Sequence, residues 1–329
     1  MIQNELRREI ENLLPPERLR FDEPMDRHCS FRTGGPADVL AVVRTEEELA
    51  ALLGLLQASQ EEYFLLGKGT NLLIGDGGFR GVIVTAADHA AGNPAGGPAA
   101  EAGRTGTPCG ESCFLDEVRV KDNCVTAGAG ATLKAAAMAA MDHGLAGLEF
   151  AAGIPGTVGG GLVMNAGAYG GEMCQVVRRV RLLMPDGSLR TCSGDEMEFG
   201  YRTSLLRHVP AAALRAEFVL EPGDPEKIRA RIMDLYAKRR EKQPLEYPSA
   251  GSTFKRPEGH FAGKLIMDAG LAGFSVGGAQ VSEKHCGFVI NRGGATSGQI
   301  RTLIEDVQKK VYEDSGIRLE REVIFLGEF

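Results

Sequence analysis

The sequence predicts a mixed α+β protein with more than one domain, and three observations support this prediction. Helical and strand-like patterns of apolar residues alternate along the chain, which fits neither an all-helical nor an all-strand fold. The chain has 329 residues, which is roughly two domains of ~150 residues each. It also contains 44 glycines, nearly twice the usual ~7% of residues. Such an excess indicates many tight turns and close approaches of backbone.

Composition and charge narrow the class of protein. Hydrophobic residues make up 43% and charged residues 25% of the chain, as in ordinary globular proteins. The net charge of −7 lacks the basic excess that nucleic-acid binders show. No apolar leader begins the chain, and no run approaches the ~18 apolar residues of a membrane span. We therefore expect a cytoplasmic protein with no nucleic-acid partner, no membrane insertion and no obligate protein partner evident from sequence.

Elements of the first part of the chain alternate between helix and strand. Thr45 and Glu48 form a predicted capping box ahead of an apolar helical stripe. Short apolar strands separated by glycine turns are then predicted at 64–66, 72–74 and 81–84. Residues 86–106 differ from the rest, because 15 of these 21 residues are Ala, Gly or Pro. They predict a low-complexity surface insertion.

The remaining elements follow the same mixed pattern. Helices are predicted at 133–143 and 226–242, and a further helix from Ser297 to Gly316 with Ser297 as its cap. Strands are predicted at 118–120, 125–126 and 176–184, with a hairpin turn at 185–187. The last predicted strand covers 317–326.

Two glycine loops, 67–71 and 153–160, are candidates for binding phosphate through backbone N–H groups. The first lacks the Ser or Thr that follows the lysine in a Walker A loop. It also has Leu72 where the third glycine of a dinucleotide-binding fingerprint belongs. Each loop alone is compatible with an ordinary structural turn.

Together with Arg32-Thr33-Gly34-Gly35, these loops resemble the FAD-binding domain of the vanillyl-alcohol-oxidase-like flavoproteins. The resemblance sharpens to the UDP-N-acetylenolpyruvoylglucosamine reductase family, also called UDP-N-acetylmuramate dehydrogenases. It is carried, in chain order from about Phe31, by the segments 65–73, 153–160, 164–170, 200–204, 248–255 and 319–323. The continuous approach from Gln243 to Ser252 is similar to the shorter type of the family, which lacks an extra tyrosine-bearing loop.

The resemblance implies an α+β fold in which a two-subdomain FAD-binding (PCMH-type) fold precedes a C-terminal α+β substrate domain. We expect a first FAD-binding subdomain at 1–84 and a second at 85–242, which includes the insertion at 86–106. A substrate-binding domain is expected at 243–319, and a C-terminal strand at 320–329 that returns to the active site.

The resemblance further implies a non-covalently bound FAD and NADPH as the hydride donor. The expected cofactor-binding residues are Arg32, Gly34, Gly67, Lys68, Gly69, Thr70, Asn71, Gly153, Ile154, Pro155, Gly156, Thr157, Gly159 and Gly160. No metal site is expected, because Cys109, Cys113 and Cys124 match no standard zinc spacing.

The reaction that the resemblance implies is reduction of the enolpyruvyl group of a UDP-sugar to give UDP-N-acetylmuramate for peptidoglycan synthesis. Hydride passes from NADPH to FAD and from the reduced flavin to C3, so C2 needs a proton and the developing enolate needs stabilisation. Arg202 offers a fixed positive fork for the carboxylate. Ser252 is the expected proton donor to C2, and Glu322 the expected hydrogen donor to the enolate. Its apolar neighbours in the last predicted strand would raise the Glu322 pKa.

Each of these residues also has an ordinary structural explanation. Arg202 would then be a surface arginine and Ser252 a turn serine. Glu322 would be an edge-strand charge paired with Arg321 or Arg318.

Six residues are expected to contact the substrate. Lys255 and Lys264 supply positive charge for the diphosphate, and Gln280 and Asn165 supply hydrogen bonds for the sugar or uracil. Tyr169 and Tyr201 are expected to pack near the flavin or the sugar.

Two other functions remain open from sequence. An FAD oxidase acting on a hydroxy acid or sugar lactone would not require Arg202, Ser252 and Glu322 together. A non-catalytic flavin- or nucleotide-binding sensor would bind FAD without turnover.

Overall fold

The structure is a computed structural model that describes residues 2–86 and 114–329. Cys109, Cys113 and all but the first residue of the predicted insertion at 86–106 lie outside the described residues. The chain divides into two compact units. The first comprises Met1–Arg20, Leu40–Lys68 and Val82–Ala237, and the second comprises Phe21–Val39, Gly69–Gly81 and Lys238–Phe329.

Within the described ranges the helices are α1 Asn4–Leu13, α2 Glu46–Ala58, α3 Leu133–Asp142, α4 Val158–Val163, α5 Pro225–Lys242, α6 Ala262–Asp268 and α7 Ser297–Ser315. The strands there are β1 Leu19–Pro24, β2 Pro36–Val42, β3 Tyr63–Leu66, β4 Leu72–Ile74, β5 Phe79–Thr85, β6 Val118–Lys121, β7 Cys124–Gly128, β8 Leu145–Ala146, β9 Gly167–Ala168, β10 Gly171–Glu172, β11 Val177–Leu183, β12 Leu189–Ser193, β13 Ala212–Val219, β14 Glu221–Pro222, β15 Ser275–Val276, β16 Ala279–Val281, β17 Val289–Asn291 and β18 Ile324–Leu326.

The first unit is organised by a five-stranded antiparallel sheet in the order β12-β11-β13-β7-β6. Strand β13 alternates buried and half-buried residues, as expected for a strand with one face in a core. The core joins Val125, Val180 and Phe218 of this sheet to Leu133 of α3 and Ile232 of α5. This core supports the loops that follow α3 and β12.

A second sheet has four strands in the order β1-β2-β5-β3. Strands β3 and β5 pair in parallel, with Tyr63 opposite Val82 and Leu66 opposite Thr85. Strand β3 leads directly into the first glycine loop, so this pairing fixes the point at which that loop begins.

The second unit contains the antiparallel sheet β15-β16-β17 and the long helix α7. The buried stripe of α7 consists of Ile300, Leu303, Ile304, Val307 and Val311. Strand β18 pairs in parallel with β4, with Ile324 opposite Leu72 and Leu326 opposite Ile74. This pairing fixes the chain immediately after Glu322.

The structure corrects the predicted helix cap and the predicted last strand. Thr296, rather than Ser297, caps α7 through a capping box with Gln299, while the buried Ser297 hydroxyl donates to the Ile74 carbonyl. The predicted strand 317–326 is a strand only at Ile324–Leu326. Glu322 therefore precedes β18. Strand β18 pairs with β4, whereas the residues just before β18 pair with a different segment of the chain.

The two compact units interleave along the chain, whereas the predicted segments 1–84, 85–242, 243–319 and 320–329 follow one another. That finer division stays a prediction.

Candidate functional site

In the first unit, the start of the first predicted glycine loop approaches the second loop. A Cβ built on Gly67 would lie 2.7 Å from Oγ1 of Thr157, so a side chain at 67 would displace the second loop. Thr157 is buried and caps α4 by accepting from the Gly160 N–H at 3.2 Å. Val158 and Gly159 donate their N–H groups to Ala131 and Ala129, both at 2.8 Å. The end of the second loop, predicted at 153–160, is thus held by backbone hydrogen bonds to Ala129 and Ala131 and by the Thr157 cap.

In the second unit, the Arg32 turn and the loop at 69–71 have equally close backbone. Gly69 has φ +59°, and a Cβ there would lie 2.0 Å from the carbonyl oxygen of His28. Arg32 has a left-handed φ of 55° and is exposed. A Cβ on Gly34 would lie 3.0 Å from the Cβ of Ile74.

The residues at these loops fit FAD. Glycines bring the backbone close to neighbouring chain at Gly67 and Gly69. A pyrophosphate accepts from backbone N–H groups and threonine hydroxyls, and the loop at 67–71 carries both, whereas Val158, Gly159 and Gly160 donate their N–H groups within the protein. His28, which could otherwise be considered for a covalent link, is buried with Nε2 2.8 Å from Oε1 of Glu23.

Arg202 lies at the tip of a two-residue hairpin in the first unit. Gly200 and Thr203 exchange both backbone hydrogen bonds, at 3.1 and 3.3 Å, and Arg202 takes a left-handed φ of 57°. Its guanidinium donates to the Gly167 carbonyl at 3.3 Å and lies 5.2 Å from the centre of the Tyr201 ring. A left-handed arginine is a strained position that occurs mostly where the structure dictates it.

Asn165 connects this hairpin to the β9–β10 hairpin. It is 2% exposed, and its Nδ2 donates to the Gly200 carbonyl and to Oε2 of Glu172, both at 3.1 Å. Its Oδ1 accepts from the Cys174 N–H at 3.0 Å. The amide of Asn165 therefore holds two loops together, one of which carries Arg202.

The two predicted tyrosines are both exposed, Tyr169 at 41% and Tyr201 at 52%. Tyr169 lies between β9 and β10 with a left-handed φ of 54°. Asn165, Tyr169 and Arg202 are thus three predicted site residues of one unit that share this backbone conformation.

In the second unit, the Ser252 segment and the Glu322 segment run beside each other. The N–H of Glu322 donates to the carbonyl of Thr253 at 2.9 Å, and Phe254 forms an antiparallel bridge with Arg321. Lys255 donates its N–H to the Glu320 carbonyl at 2.8 Å. The exposed Ser252 and the half-buried Glu322 therefore lie on neighbouring segments of the chain that are joined by backbone hydrogen bonds.

Thr253 is the centre of this arrangement and was missed in the sequence. It is 0% exposed; its N–H donates to the Gly287 carbonyl at 2.9 Å, and its Oγ1 accepts from the Val289 N–H at 3.0 Å. In the sequence, only the neighbouring apolar residue Phe254 indicates that Thr253 could be buried.

The remaining predicted substrate contacts are separate side chains with partners in the second unit. Lys255 pairs with Glu320 at 2.5 Å, and Lys264 pairs with Asp268 at 2.8 Å. Gln280 donates to the Gly273 carbonyl at 3.1 Å.

Residues 2–86 and 114–329 contain no cluster of three His, Cys, Asp or Glu side chains that could hold a metal. Across that part of the chain, no helix has the length and apolar character needed to cross a membrane.

Comparisons with known proteins assign this arrangement to a family. Residues 243–326 match the C-terminal domain of UDP-N-acetylenolpyruvoylglucosamine reductase, and residues 114–193 match an FAD binding domain. The UDP-N-acetylenolpyruvoylglucosamine reductase of Agathobacter rectalis is 48% identical over 318 residues, which is 96% of each chain. The chain belongs to the UDP-N-acetylenolpyruvoylglucosamine reductase family. The UDP-N-acetylenolpyruvoylglucosamine reductase of Lachnoclostridium phytofermentans is 44% identical over 99% of this chain and 98% of its own length.

A solved structure agrees with the sequence comparison. The crystal structure of the reductase from Thermus caldophilus matches with a TM-score of 0.73 and 30% identity, covering 92% of this chain and 97% of that one. The predicted family, the α+β flavoprotein fold and the FAD cofactor are thereby confirmed, and the chain is an FAD-dependent oxidoreductase of this reductase family.

Proposed function

We propose that this chain reduces the enolpyruvyl group of UDP-N-acetylglucosamine-enolpyruvate to give UDP-N-acetylmuramate, a precursor of peptidoglycan, with NADPH as hydride donor. The names and full-length similarity of its relatives support the substrate. When bound, FAD supplies the carrier that passes hydride from NADPH to C3 of the enolpyruvyl group. The backbone of the loops at 67–71 and 153–160, with Arg32 and Gly34, would hold this cofactor.

Ser252 supplies the proton that C2 needs after hydride arrives at C3. A serine hydroxyl is a weak acid, so the donor must lie close to C2 at the moment when negative charge develops there. Ser252 is exposed, so its hydroxyl regains a proton from solvent after each turnover.

Arg202 and Glu322 stabilise the charge that develops on the substrate. Arg202 binds the carboxylate through its planar fork, and Glu322 donates a hydrogen bond or a proton to the enolate oxygen. The observation that carries the pairing of Ser252 with Glu322 is the 2.9 Å hydrogen bond between the Thr253 carbonyl and the Glu322 N–H. It supports a shared site, because it joins the backbone of Glu322 to the residue after Ser252.

Lys255 and Lys264 bind the diphosphate, and their ion pairs are compatible with that role. Exposed ion pairs contribute only ~0–1 kcal/mol, so a diphosphate competes readily for these ammonium groups. Gln280 is proposed to bind the sugar or uracil, with Tyr169 and Tyr201 packing near the flavin or the sugar. For Asn165, predicted to contact the sugar or uracil, the three hydrogen bonds favour a role in holding the Arg202 hairpin.

An anaerobic titration tests this function. NADPH added to the FAD-loaded protein should bleach the flavin, and UDP-N-acetylglucosamine-enolpyruvate should restore its absorbance with formation of UDP-N-acetylmuramate. Recovery with oxygen but not with this substrate would favour the oxidase, and absence of bleaching by NADPH would favour the sensor.

A matched pair of arginine variants ties the activity to the proposed site. Arg202→Ala should raise KM and lower kcat, since Arg202 binds the carboxylate in both ground and transition states. Arg229→Ala, which removes an exposed arginine of α5, should leave both unchanged. Equal kinetics in the two variants would remove Arg202 from the site.

A further inference from the structure

Asn71 lies in the glycine loop that the sequence assigns to the cofactor, yet its contacts point to a different residue. Its Nδ2 donates to the main-chain carbonyl of Glu322 at 3.0 Å. Its own carbonyl accepts the N–H of Ile324 at 3.0 Å. One asparagine therefore bonds on both sides of the buried Val323.

The backbone of Glu322 is consequently held at both of its polar groups. Thr253 accepts the Glu322 N–H at 2.9 Å, and Asn71 donates to the Glu322 carbonyl. Strand β18 continues this contact by pairing with β4 from Ile324 and Leu72 onward. Because the carboxyl of Glu322 lies only a few bonds from this main chain, these two neighbours limit the positions that the carboxyl can reach.

We propose that Asn71 is a positioning residue for Glu322, and that its side chain serves the reduction of the enolpyruvyl substrate rather than the binding of FAD. This inference rests on the proposed function, in which Glu322 stabilises the enolate. In this role Asn71 acts through the main chain of Glu322 and is not assigned a contact with a reacting atom.

The two roles predict opposite kinetic signatures. A cofactor-binding side chain affects retention of FAD and both half-reactions. A positioning residue for Glu322 affects only the oxidation of reduced flavin by the enolpyruvyl substrate. Misplacing a group by about 1 Å costs roughly 100-fold, so the expected loss in that step is about 10- to 100-fold.

The experiment compares Asn71→Ala and Asn71→Asp with wild type by stopped-flow measurement of both half-reactions and by the FAD content of the purified protein. Asn71→Asp keeps the shape but replaces the donor with an acceptor that faces the Glu322 carbonyl. Asn123→Asp, which places the same charge on an exposed turn of the first unit, is the matched control and should behave as wild type. We expect normal FAD content, normal reduction by NADPH and slowed reoxidation in both Asn71 variants.

Two further readouts separate positioning from general destabilisation. In a Glu322→Ala background, Asn71→Ala should cause no additional loss, because both changes remove the same contribution. In Asn71→Asp the carboxyl becomes a donor only when protonated, so its reoxidation rate relative to wild type should rise as pH falls. This second readout needs no folded alanine variant.

The inference is overturned if reoxidation stays at the wild-type rate in Asn71→Asp, or if FAD content and reduction by NADPH fall as much as reoxidation does. It is also overturned if the losses from Asn71→Ala and Glu322→Ala simply add. A wild-type rate in Glu322→Ala itself would instead overturn the role of Glu322 in the proposed function, whatever the Asn71 variants show.

Discussion

Arg202 and Glu322, the two charged residues assigned to one chemical step, are held in different ways. Arg202 sits on a two-residue hairpin with left-handed backbone, tied down by its own bond to Gly167 and by the Asn165 amide beneath Gly200. Glu322 sits on backbone without positive φ, held by the carbonyl of Thr253 and the side chain of Asn71.

The difference teaches where each residue is vulnerable. The strain at the left-handed Arg202 is offset by its bond to Gly167 and by the buried Asn165 amide, so the Arg202 hairpin depends in part on Asn165 for its stability. The Glu322 segment is held by ordinary backbone hydrogen bonds without positive φ. Changes at Glu322 should therefore affect the reaction more than the stability of the fold. At both places an asparagine side chain orders a segment that carries a residue assigned to the reaction: Asn165 for Arg202 and Asn71 for Glu322.

The largest effect is expected from Ser252→Ala. A general acid typically contributes 10²–10⁴-fold, so oxidation of reduced flavin by the enolpyruvyl substrate should slow by at least about 100-fold. Reduction by NADPH and the unfolding free energy should change little, because Ser252 is exposed. Ser249→Ala is the matched control, and a loss confined to the NADPH step would reassign Ser252 to cofactor binding.

Asn165→Ala tests the stability of the Arg202 hairpin. It removes the hydrogen bonds of the Asn165 amide to the Cys174 N–H and to the Gly200 carbonyl, and one such bond typically contributes ~0.5–1.5 kcal/mol to stability. The unfolding free energy at saturating FAD should therefore fall by about 1–3 kcal/mol. A loss below about 1 kcal/mol in denaturant titration would show that the Arg202 hairpin does not depend on this residue.

Glycine substitutions at positions 202 and 322 should change stability in opposite directions relative to alanine. At position 202, Arg202→Gly should be more stable than Arg202→Ala by about 1 kcal/mol, because glycine adopts positive φ without strain. At position 322, Glu322→Gly should be less stable than Glu322→Ala by roughly 0.5–1 kcal/mol. Thermal unfolding of the four variants decides the matter, and the same sign at both positions would contradict the contrast between Arg202 and Glu322.

The smallest expected effect is a pH dependence of the unfolding free energy that comes from His285, which is connected to the Glu322 segment through Gly287 and Thr253. Burial lowers the pKa of His285 below its ordinary value of 6.5, and its Nδ1 accepts the Gly287 N–H at 3.1 Å, while Gly287 accepts from Thr253. Below about pH 6.5 the unfolded chain takes up a proton that the folded chain resists. This contribution to stability is thus complete above that pH and is lost as pH falls through the lowered pKa.

His285→Asn keeps an acceptor for Gly287 but does not titrate. The unfolding free energy of wild type should therefore decrease relative to this variant between neutral and acidic pH. Parallel curves for the two proteins would show that His285 has no part in the pH dependence.

Much of the fold was predictable from the sequence, because its helices and hairpins are marked by local signals. The Thr45 cap of α2, the β11–β12 hairpin and the end of α7 at Gly316 are present as predicted. Of the predicted Thr45–Glu48 capping box only the Thr45 half is seen, because the Glu48 carboxylate accepts the Arg44 N–H. The cap of α7 was assigned to Ser297 one residue late, since either Thr296 or Ser297 satisfies a local rule. Only the tertiary bond from Ser297 to Ile74 separates them.

The candidate residues were predicted through family resemblance, but their supports were not. Asn71 and Asn165 each stand in a motif segment, and nothing in the local sequence shows that their amides bond to Glu322 and Gly200, 251 and 35 residues away. The last strand was predicted too long for the same reason. Residues 320–322 bond to Thr253 and Lys255, a long-range choice that apolar alternation does not reveal.

Stopped-flow reoxidation of the reduced flavin in Glu322→Ala and Glu322→Gln tests the proposed chemistry most directly. Reduction by NADPH should match wild type in both variants, and reoxidation by UDP-N-acetylglucosamine-enolpyruvate should be strongly slowed in Glu322→Ala. If hydrogen bonding suffices, Glu322→Gln should retain far more activity than Glu322→Ala, and if proton transfer is needed both should fail alike. A near wild-type rate of reoxidation in Glu322→Ala would contradict the assignment of Glu322 to the reaction.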